Sequence, residues 1–272
     1  MRVFMKRLLR TLRVMVPLPV VRYLKSWRPR QLDEVEIVFR AIGHMHGTMI
    51  DVGGHYGGSC ERFARNGWTV FVFEPDPENR KILGKTCSKY PSVIVDSRAV
   101  TDVDDEHLSF YASAVSSGIS GLSAFHKTHQ VVAKVRTVTL GRIISEQEIS
   151  KIDFLKVDTE GFDMFVLKGL PWDEIRPIVL VCEFEDRKTR PLGYSFVDLV
   201  TYITSKGYDV LVSEWYPIIE YGKTHRWRRF ARYPMELSDS NAWGNIIAVR
   251  KDSGLLFDSL CEIAEEYSSE FS

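Results

Sequence analysis

Short apolar runs alternate with segments of helical periodicity along much of this chain. The runs at residues 49–52, 69–73 and 93–95 predict three buried strands. Between them, residues 59–66 and 78–89 carry apolar side chains at helical spacing and predict two helices. Strands joined through helices of this length need right-handed crossovers, so the pattern predicts a parallel sheet.

The alternation breaks at about residues 101–150 and then resumes. Within the break, residues 107–112 and 131–140 predict added extended segments around a loop rich in serine and glycine. The later predicted elements are strands at 154–157 and 178–183, helices at 162–168 and 196–206, and closing strands at 208–213 and 245–250. A long segment, 214–244, joins the last two strands, which we expect to pair in antiparallel fashion. The whole predicts an α/β fold with a doubly wound, mainly parallel sheet.

The N-terminal segment differs from the rest in charge. Residues 1–32 hold nine basic residues and no acidic one, so this chain of zero net charge has an acidic body. Apolar positions in the segment recur at helical spacing, and a second helix is predicted at 34–42. Two interpretations remain open: an amphipathic helix on an anionic membrane surface, or a helix that packs on the domain with its basic side in water. No apolar run approaches the ~20 residues of a membrane span.

These features divide the chain into three parts. We predict a basic helical arm at 1–43, an α/β domain at 44–252 with inserts at about 101–150 and 214–244, and a C-terminal helix at 253–272. The four cysteines are widely spaced and form no C-x-x-C pair, which favours free thiols in a reducing compartment. We therefore expect a cytoplasmic protein, with contact to the cytoplasmic face of a membrane if the arm binds lipid.

Candidate chemistry begins where the first two predicted strands end. Asp51 precedes the end of the first strand, and four glycines follow within residues 53–58. Glycine permits a positive φ and a close approach of the backbone to a ligand. Glu74 stands at the tip of the second strand, 23 residues after Asp51, where an acid is placed to bind ribose hydroxyls. The glycines depart from the G-x-G-x-x-G pattern, which disfavours an NAD-dependent dehydrogenase.

Six short segments carry a resemblance to a known family in their order and spacing. They are residues 50–57 (IDVGGHYG), 73–79 (FEPDPEN), 99–102 (AVTD), 138–140 (VTL), 152–161 (IDFLKVDTEG) and 166–169 (VLKG). With them the chain resembles the FkbM-type family of class I S-adenosylmethionine-dependent methyltransferases over about residues 48–185. His55 departs from the family, which usually has Asn at this position, and the change could alter local hydrogen bonding.

The resemblance implies a seven-stranded sheet with S-adenosylmethionine across the carboxyl ends of the first and second strands. The cofactor-binding residues that it implies are Asp51, Gly53, Gly54, His55 and Gly57 at the glycine turn, Glu74 and Pro75 at the ribose, Arg98 and Ala99 near the adenine, and Asp158.

Carboxylates at later strand ends are the candidates for a general base. Asp158 and Glu160 follow the fourth predicted strand, and Glu183 and Glu185 come at the fifth. Such strand ends face the ligand crevice of an open α/β sheet, and a buried carboxylate near another can have a raised pKa. The catalytic candidates are therefore Asp158, Glu160 and Glu183. Alternatively, Asp158 only caps the N-terminus of the following helix, and Glu160 is only an acidic residue in the first turn of that helix. Both could also hold a divalent cation, but few ligands are visible and we predict no metal site.

The predicted function is S-adenosylmethionine-dependent O-methylation of a hydroxyl on a saccharide or glycan-type acceptor. Alternatives are N-methylation, methylation of a non-sugar secondary metabolite, and a non-catalytic module that binds the cofactor. The aromatic and basic segment 214–244 suits the recognition of sugar rings and anionic groups, or else it covers the sheet edge. A nucleic-acid partner is disfavoured, because the body is acidic and the basic arm lies outside the predicted crevice.

Overall fold

The strands predicted from the apolar runs come together in the computed structural model, which describes residues 31–271. The strands are β1 Thr48–Val52, β2 Thr69–Phe73, β3 Val93–Asp96, β4 Ala99–Thr101, β5 His107–Ser113, β6 His129–Thr139, β7 Phe154–Val157, β8 Val179–Glu185, β9 Tyr208–Trp215, β10 Trp227–Arg232 and β11 Trp243–Arg250. Eight of them form one sheet in the order β10-β9-β11-β8-β7-β1-β2-β3. The predicted doubly wound, mainly parallel sheet is thus confirmed.

Helices cover both faces of this sheet. They are α1 Glu34–Ile42, α2 Cys60–Arg65, α3 Pro77–Cys87, α4 Leu140–Glu146, α5 Asp163–Lys168, α6 Asp186–Thr189, α7 Phe196–Ser205 and α8 Phe257–Ser268. The apolar sides of α4, α5 and α7 form one buried core with the sheet. Those of α1, α2, α3 and α8 form a second core on the opposite face. Strands that are buried on both faces read as continuous apolar runs, which is why the sequence pattern located them.

Strand order reverses beside β1, which pairs in parallel with β2 on one side and with β7 on the other. In open α/β sheets, the crevice outside the carboxyl ends at such a reversal is where ligands bind. The antiparallel pairing predicted for the last two strands is also present, because β9 and β11 pair over 208–215 and 243–250.

Three details differ from the sequence-based expectations. The central sheet has eight strands rather than seven, because β10 forms inside the insert 214–244 and pairs along its edge with β9. After β3 the chain turns, with the Arg98 amide donating to Asp96 Oδ1 over 2.8 Å. Consequently β4 leaves the central sheet and joins a small sheet of order β4-β6-β5, which accounts for most of the break at 101–150. Helix α4, at the end of this break, and the short helix α6 were not predicted.

Residues 1–30 of the predicted arm lie outside the described residues. The helix expected at 34–42 is present as α1, capped by Asp33, whose side chain accepts from the Val35 amide. The helix expected earlier in the arm lies in residues 1–30, and its membrane contact stays a prediction. In residues 31–271, no helix has the length and apolar character needed to cross a bilayer.

Candidate active site

A cavity of about 360 Å³ opens at the carboxyl ends of β1, β2 and β7. It brings together most of the residues that the sequence singled out. Those that line it are Gly53, Gly54, His55, Glu74, Pro75, Ala99, Asp158 and Glu160. Asp51, Gly57, Arg98 and Glu183 are not among its lining residues, and the structure gives each of them a different place.

The glycine turn packs tightly between two strand ends. Gly53 has a φ of 84°, and a Cβ added there would lie 2.0 Å from the carbonyl oxygen of Asp158. The amides of Gly53 and Gly54 both donate to the Phe73 carbonyl, over 2.9 and 3.0 Å. Only glycine fits position 53, because a side chain would strain the backbone and collide with the neighbouring strand end. The backbone of the turn therefore forms part of the cavity wall.

His55 also has a left-handed backbone, with a φ of 47°. Asn, Asp and His are the non-glycine residues most often found in this region. His55, where the resemblance led us to expect Asn, is therefore compatible with this left-handed backbone. Its amide donates to Glu74 Oε2 over 2.7 Å, and its Nε2 lies 3.0 Å from Ser117 Oγ, which ties the first turn to the loop that follows β5.

Glu74 is almost fully buried at the tip of β2. Its two carboxylate oxygens accept from the amides of His55 and Asp76, over 2.7 and 2.8 Å. Burial raises the pKa of Glu74 to about 7, against the lowering effect of these backbone hydrogen bonds. A carboxylate held by rigid backbone donors keeps one fixed orientation, with further acceptor capacity toward the cavity.

Asp51 lies beneath the turn rather than in the cavity wall. It is fully buried and accepts from Ser59 Oγ, and its Oδ1 lies 3.2 Å from Lys156 Nζ. Lys156 also donates to the Gly53 carbonyl over 2.7 Å and lies 3.4 Å from Asp158 Oδ2. Burial opposes the charged form of Lys156, but Asp51 and Asp158 outweigh it, and the pKa of the ammonium is raised. Sequence reasoning missed Lys156, although a charge inside the apolar strand β7 was a usable signal.

Gly57 and Arg98 face away from the cavity. Gly57 has a φ of 87°, and a Cβ there would meet Leu83 of α3 at 3.0 Å, so this glycine serves the packing of the turn on that helix. The Arg98 guanidinium pairs with Asp96 at 2.7 Å and with Glu146 at 2.8 Å. These two ion pairs hold the side chain of Arg98 outside the cavity, while its neighbour Ala99 lines it.

Glu183 belongs to a buried cluster centred on Lys188. The ammonium of Lys188 lies 2.6 Å from Glu160 Oε2, 2.9 Å from Glu183 Oε2 and 2.9 Å from Glu185 Oε2. Burial opposes its charge, but the three carboxylates outweigh that effect and raise the pKa of Lys188 well above its ordinary value. Burial likewise raises the pKa of Glu183 well above its ordinary value. Lys188 escaped sequence reasoning, because lysine is rarely buried and nothing before α6 indicates that it folds inward.

Glu160 connects this cluster to the cavity. Burial raises its pKa to about 7, against the opposing charge of Lys188. Its φ is 57°, a left-handed value that is uncommon for a glutamate, and Gly161 follows with a φ of 103°. Such backbone strain persists where the surroundings fix it, and it is concentrated at functional sites. A Cβ on Gly121 would lie 3.2 Å from Glu160 Cβ, so the loop after β5 closes directly over this residue.

The two segments that lie outside the regular alternation meet above the cluster. Tyr221, from the insert 214–244, donates to Glu185 Oε1 over 2.8 Å and accepts from Arg187 over 2.6 Å. Phe125, from the break at 101–150, lies with its ring centroid 5.9 Å from that of Tyr221. Lys188 Nζ lies 5.4 Å from the centroid of the Phe125 ring. Aromatic side chains from both segments therefore pack against the cluster of Lys188 and its three glutamates.

The family of the chain follows from a family-model comparison. The model described as the methyltransferase FkbM domain matches residues 51–210, which include the glycine turn, Glu74 and the Lys188 cluster. The chain belongs to this family. It contains a methyltransferase FkbM domain, and membership of this family implies S-adenosylmethionine as the methyl donor.

Three individual proteins that are similar to this chain share little sequence with it. The hexuronic acid methyltransferase AglP of Haloferax volcanii is 26% identical over 154 residues, which are 53% of this chain and 59% of AglP. An O-methyltransferase from Bacillus cereus in complex with SAH has a TM-score of 0.42 at 11% identity, covering 89% of this chain and 96% of that one. The precorrin-6Y C5,15-methyltransferase of Geobacter metallireducens has a TM-score of 0.41 at 12% identity, covering 80% and 88%. At these TM-scores, the fold assignment rests on the strand order.

The cavity fits the cofactor that the family implies. The backbone of Gly53 and Gly54 lines the cavity after β1, and Glu74 presents a fixed carboxylate at the neighbouring strand end. Apolar side chains of Ala99, Val100, Phe110 and Leu122 form a further wall, suited to an aromatic base. These residues would hold the methionine, ribose and adenine parts respectively.

Proposed function

We propose that this protein is an O-methyltransferase that acts on a hydroxyl of a saccharide or glycan-type acceptor, with Glu160 as the general base. The main support for this proposal is the position of Glu160 in the cavity wall. Glu160 lines the same cavity as the glycine turn and Glu74, and burial raises its pKa to about 7. A base is most effective when its pKa lies near the working pH.

Each residue of the cluster has a distinct part in this proposal. S-adenosylmethionine supplies an electrophilic methyl group when it is bound. Glu160 accepts the proton of the acceptor hydroxyl, and Asp158, whose side chain is 44% exposed, binds the acceptor beside it. Lys188 stabilises the ionised form of Glu160, while Glu183 and Glu185 hold Lys188 in place. Glu183 is then a positioning residue rather than a catalytic one.

The saccharide assignment is supported by two features of different kinds. A relative with 26% identity is named for a hexuronic acid, but this chain spans only 59% of its length. Independently, the cavity wall combines the hydroxyl of Ser117, the carboxylate of Asp158 and the amide of Asn245. Polar groups of these kinds are suited to a ring that carries hydroxyl groups.

We further propose that no divalent cation is needed at the carboxylate cluster. Oxygens of Asp158, Glu160 and Glu183 lie within 4.8 Å of one another, a spacing that a cation could bridge. The ammonium of Lys188 already contacts two of these groups, at 2.6 and 2.9 Å. Its positive charge takes the place that a metal would occupy, so we expect EDTA to leave turnover unchanged.

The test is a comparison of Glu160→Gln with Glu262→Gln, an exposed site on α8. With a saccharide acceptor, we expect Glu160→Gln to lower kcat by about 100-fold or more and to leave S-adenosylhomocysteine binding by calorimetry unchanged. The wild-type rate should rise with pH through about 7, because the ionised form of Glu160 is the active one. Undiminished turnover in Glu160→Gln would remove this residue as the base, and transfer only to non-sugar acceptors would remove the saccharide assignment.

A further inference from the structure

The cavity continues beyond the residues assigned to the cofactor. Past Lys156 and Asp158, its wall is formed by Glu34 from α1, Val181 from β8 and Asn245 from β11. Glu34 and Asn245 lie outside residues 51–210, the range that matches the family model. This end of the cavity is therefore built partly from segments that the shared domain does not include, as expected for a part that determines which acceptor is bound.

The carboxylate of Glu34 has a second oxygen, Oε2, that can accept a hydrogen bond at this end of the cavity. The residue is 7% exposed, and Ser213 Oγ and Trp215 Nε1 both donate to its Oε1, over 2.6 and 2.8 Å. The carboxylate also accepts from the amide of Glu34 itself, and within residues 31–271 both donors from other residues go to Oε1 rather than Oε2. The helix does not need this carboxylate as a cap, since Asp33 supplies that. A carboxylate oxygen has more than one acceptor site, so Oε2 has capacity for a hydroxyl group of a ligand in the cavity.

Asn245 offers complementary groups beside it. It lies opposite Glu183 and Ser213 in the register of the sheet, so its side chain is on the same face as theirs. Across residues 31–271 its side-chain amide has no hydrogen-bond partner. The amide both donates and accepts, whereas the carboxylate of Glu34 only accepts. Together they match neighbouring hydroxyl groups, each of which can donate one hydrogen bond and accept others.

The charges at this end disfavour an anionic acceptor. Glu34, Asp158 and Glu160 contribute carboxylates to the wall, and no arginine lines the described part of the cavity. The lining lysine, Lys156, is already engaged by Asp51, Asp158 and the Gly53 carbonyl. A carboxylate on the acceptor would face like charges with no free cation to pair with it.

We infer that this end of the cavity is a subsite for an uncharged, polyhydroxylated sugar ring, that Glu34 and Asn245 bind its hydroxyls, and that it discriminates against hexuronates. The inference rests on the proposed function and deepens it by naming the acceptor class. It also separates this chain from the relative that is named for a hexuronic acid.

The experiment uses pairs of methyl hexopyranosides and methyl hexuronosides that differ only in a hydroxymethyl or a carboxylate group. With the full-length protein, we expect kcat/KM to be at least about tenfold higher for the neutral member of a pair. Glu34→Gln removes the charge but keeps the shape, so it should narrow this preference and raise KM for the neutral sugar. The matched control is Glu36→Gln, on the same helix but outside the cavity wall.

Two variants at position 245 keep the inference testable if Glu34→Gln does not fold. Asn245→Ala should raise KM for the neutral sugar, and Asn245→Asp should widen the preference for it, while S-adenosylhomocysteine binding stays unchanged in both. A wild-type preference for hexuronosides would overturn the inference while leaving saccharide methylation intact. Acceptor KM values in the Glu34 and Asn245 variants no different from those of Glu36→Gln would also overturn it. Methylation of no sugar in the panel would remove the proposed function and the inference together.

Discussion

Replacement of Glu74 by glutamine tests the cofactor site at the residue whose environment is best defined. Each oxygen of the native carboxylate accepts one backbone amide and has capacity for a ribose hydroxyl. Glutamine keeps one acceptor oxygen and turns the other position into a donor. The ribose hydroxyl on that side then loses its hydrogen bond to a charged acceptor, which corresponds to about 1–3 kcal/mol. The Kd for S-adenosylhomocysteine should therefore rise by about 5- to 150-fold.

The same site predicts a pH dependence of binding. The pKa of Glu74 is about 7 in the protein without ligand, and ribose hydroxyls that donate to it favour its ionised form. Wild-type affinity should consequently fall as the pH decreases through about 7. In Glu74→Gln this contribution is absent, so the affinity should change less over the same range.

The assay is isothermal titration calorimetry with S-adenosylhomocysteine, run beside thermal unfolding without ligand. Glu78→Gln is the matched control, because Glu78 is an exposed acid in the first turn of α3 and does not line the cavity. If folded Glu74→Gln binds S-adenosylhomocysteine with a Kd within about twofold of the wild-type value, Glu74 does not bind the ribose hydroxyls as a charged acceptor. The lost free energy would then be far less than that of one hydrogen bond.

Three further predictions concern the acceptor side and the arm. Asp158→Asn should leave S-adenosylhomocysteine binding unchanged and lower turnover at least about tenfold, and unchanged turnover would exclude Asp158 from the reaction. Lys188→Gln should move the acidic limb of the pH–rate profile to higher pH, because Lys188 lowers the pKa of Glu160. Lys188→Arg keeps the positive charge and should move this limb less. A pH–rate profile that is unchanged in Lys188→Gln would indicate a purely structural lysine. Deletion of residues 1–32 should reduce co-flotation with anionic liposomes, and equal flotation of both forms would remove the membrane contact.

The sequence predicted those strands that are buried on both faces. Residues 69–73 and 154–157 show this, because the predicted and observed bounds of these two strands agree. Strand β10 was missed for a physical reason: it lies at the sheet edge, pairs with β9 alone and contains three arginines among its six residues. An edge strand that mixes half-buried aromatic and charged side chains carries no continuous apolar run.

The site was predictable where its residues directly follow strands. The glycine turn, Glu74 and Asp158 belong to this group, since the end of a buried strand marks the crevice in the sequence itself. Lys188, Glu34 and Asn245 were not predictable in this way. Lys188 reaches the site by the inward fold of α6, and the other two by the packing of α1 and β11 against a distant part of the chain. No local pattern records such tertiary placements.

The most direct test of the account follows the methyl group itself. Full-length protein is incubated with S-adenosylmethionine that carries a deuterated methyl group and with a neutral methyl hexopyranoside, and the product is analysed by mass spectrometry and NMR. We expect the label on a ring-hydroxyl oxygen, with transfer largely lost in Glu160→Gln, a variant that still binds S-adenosylhomocysteine. Transfer that continues undiminished in that variant, or no transfer to sugar by a wild-type protein that binds the cofactor product, would contradict it.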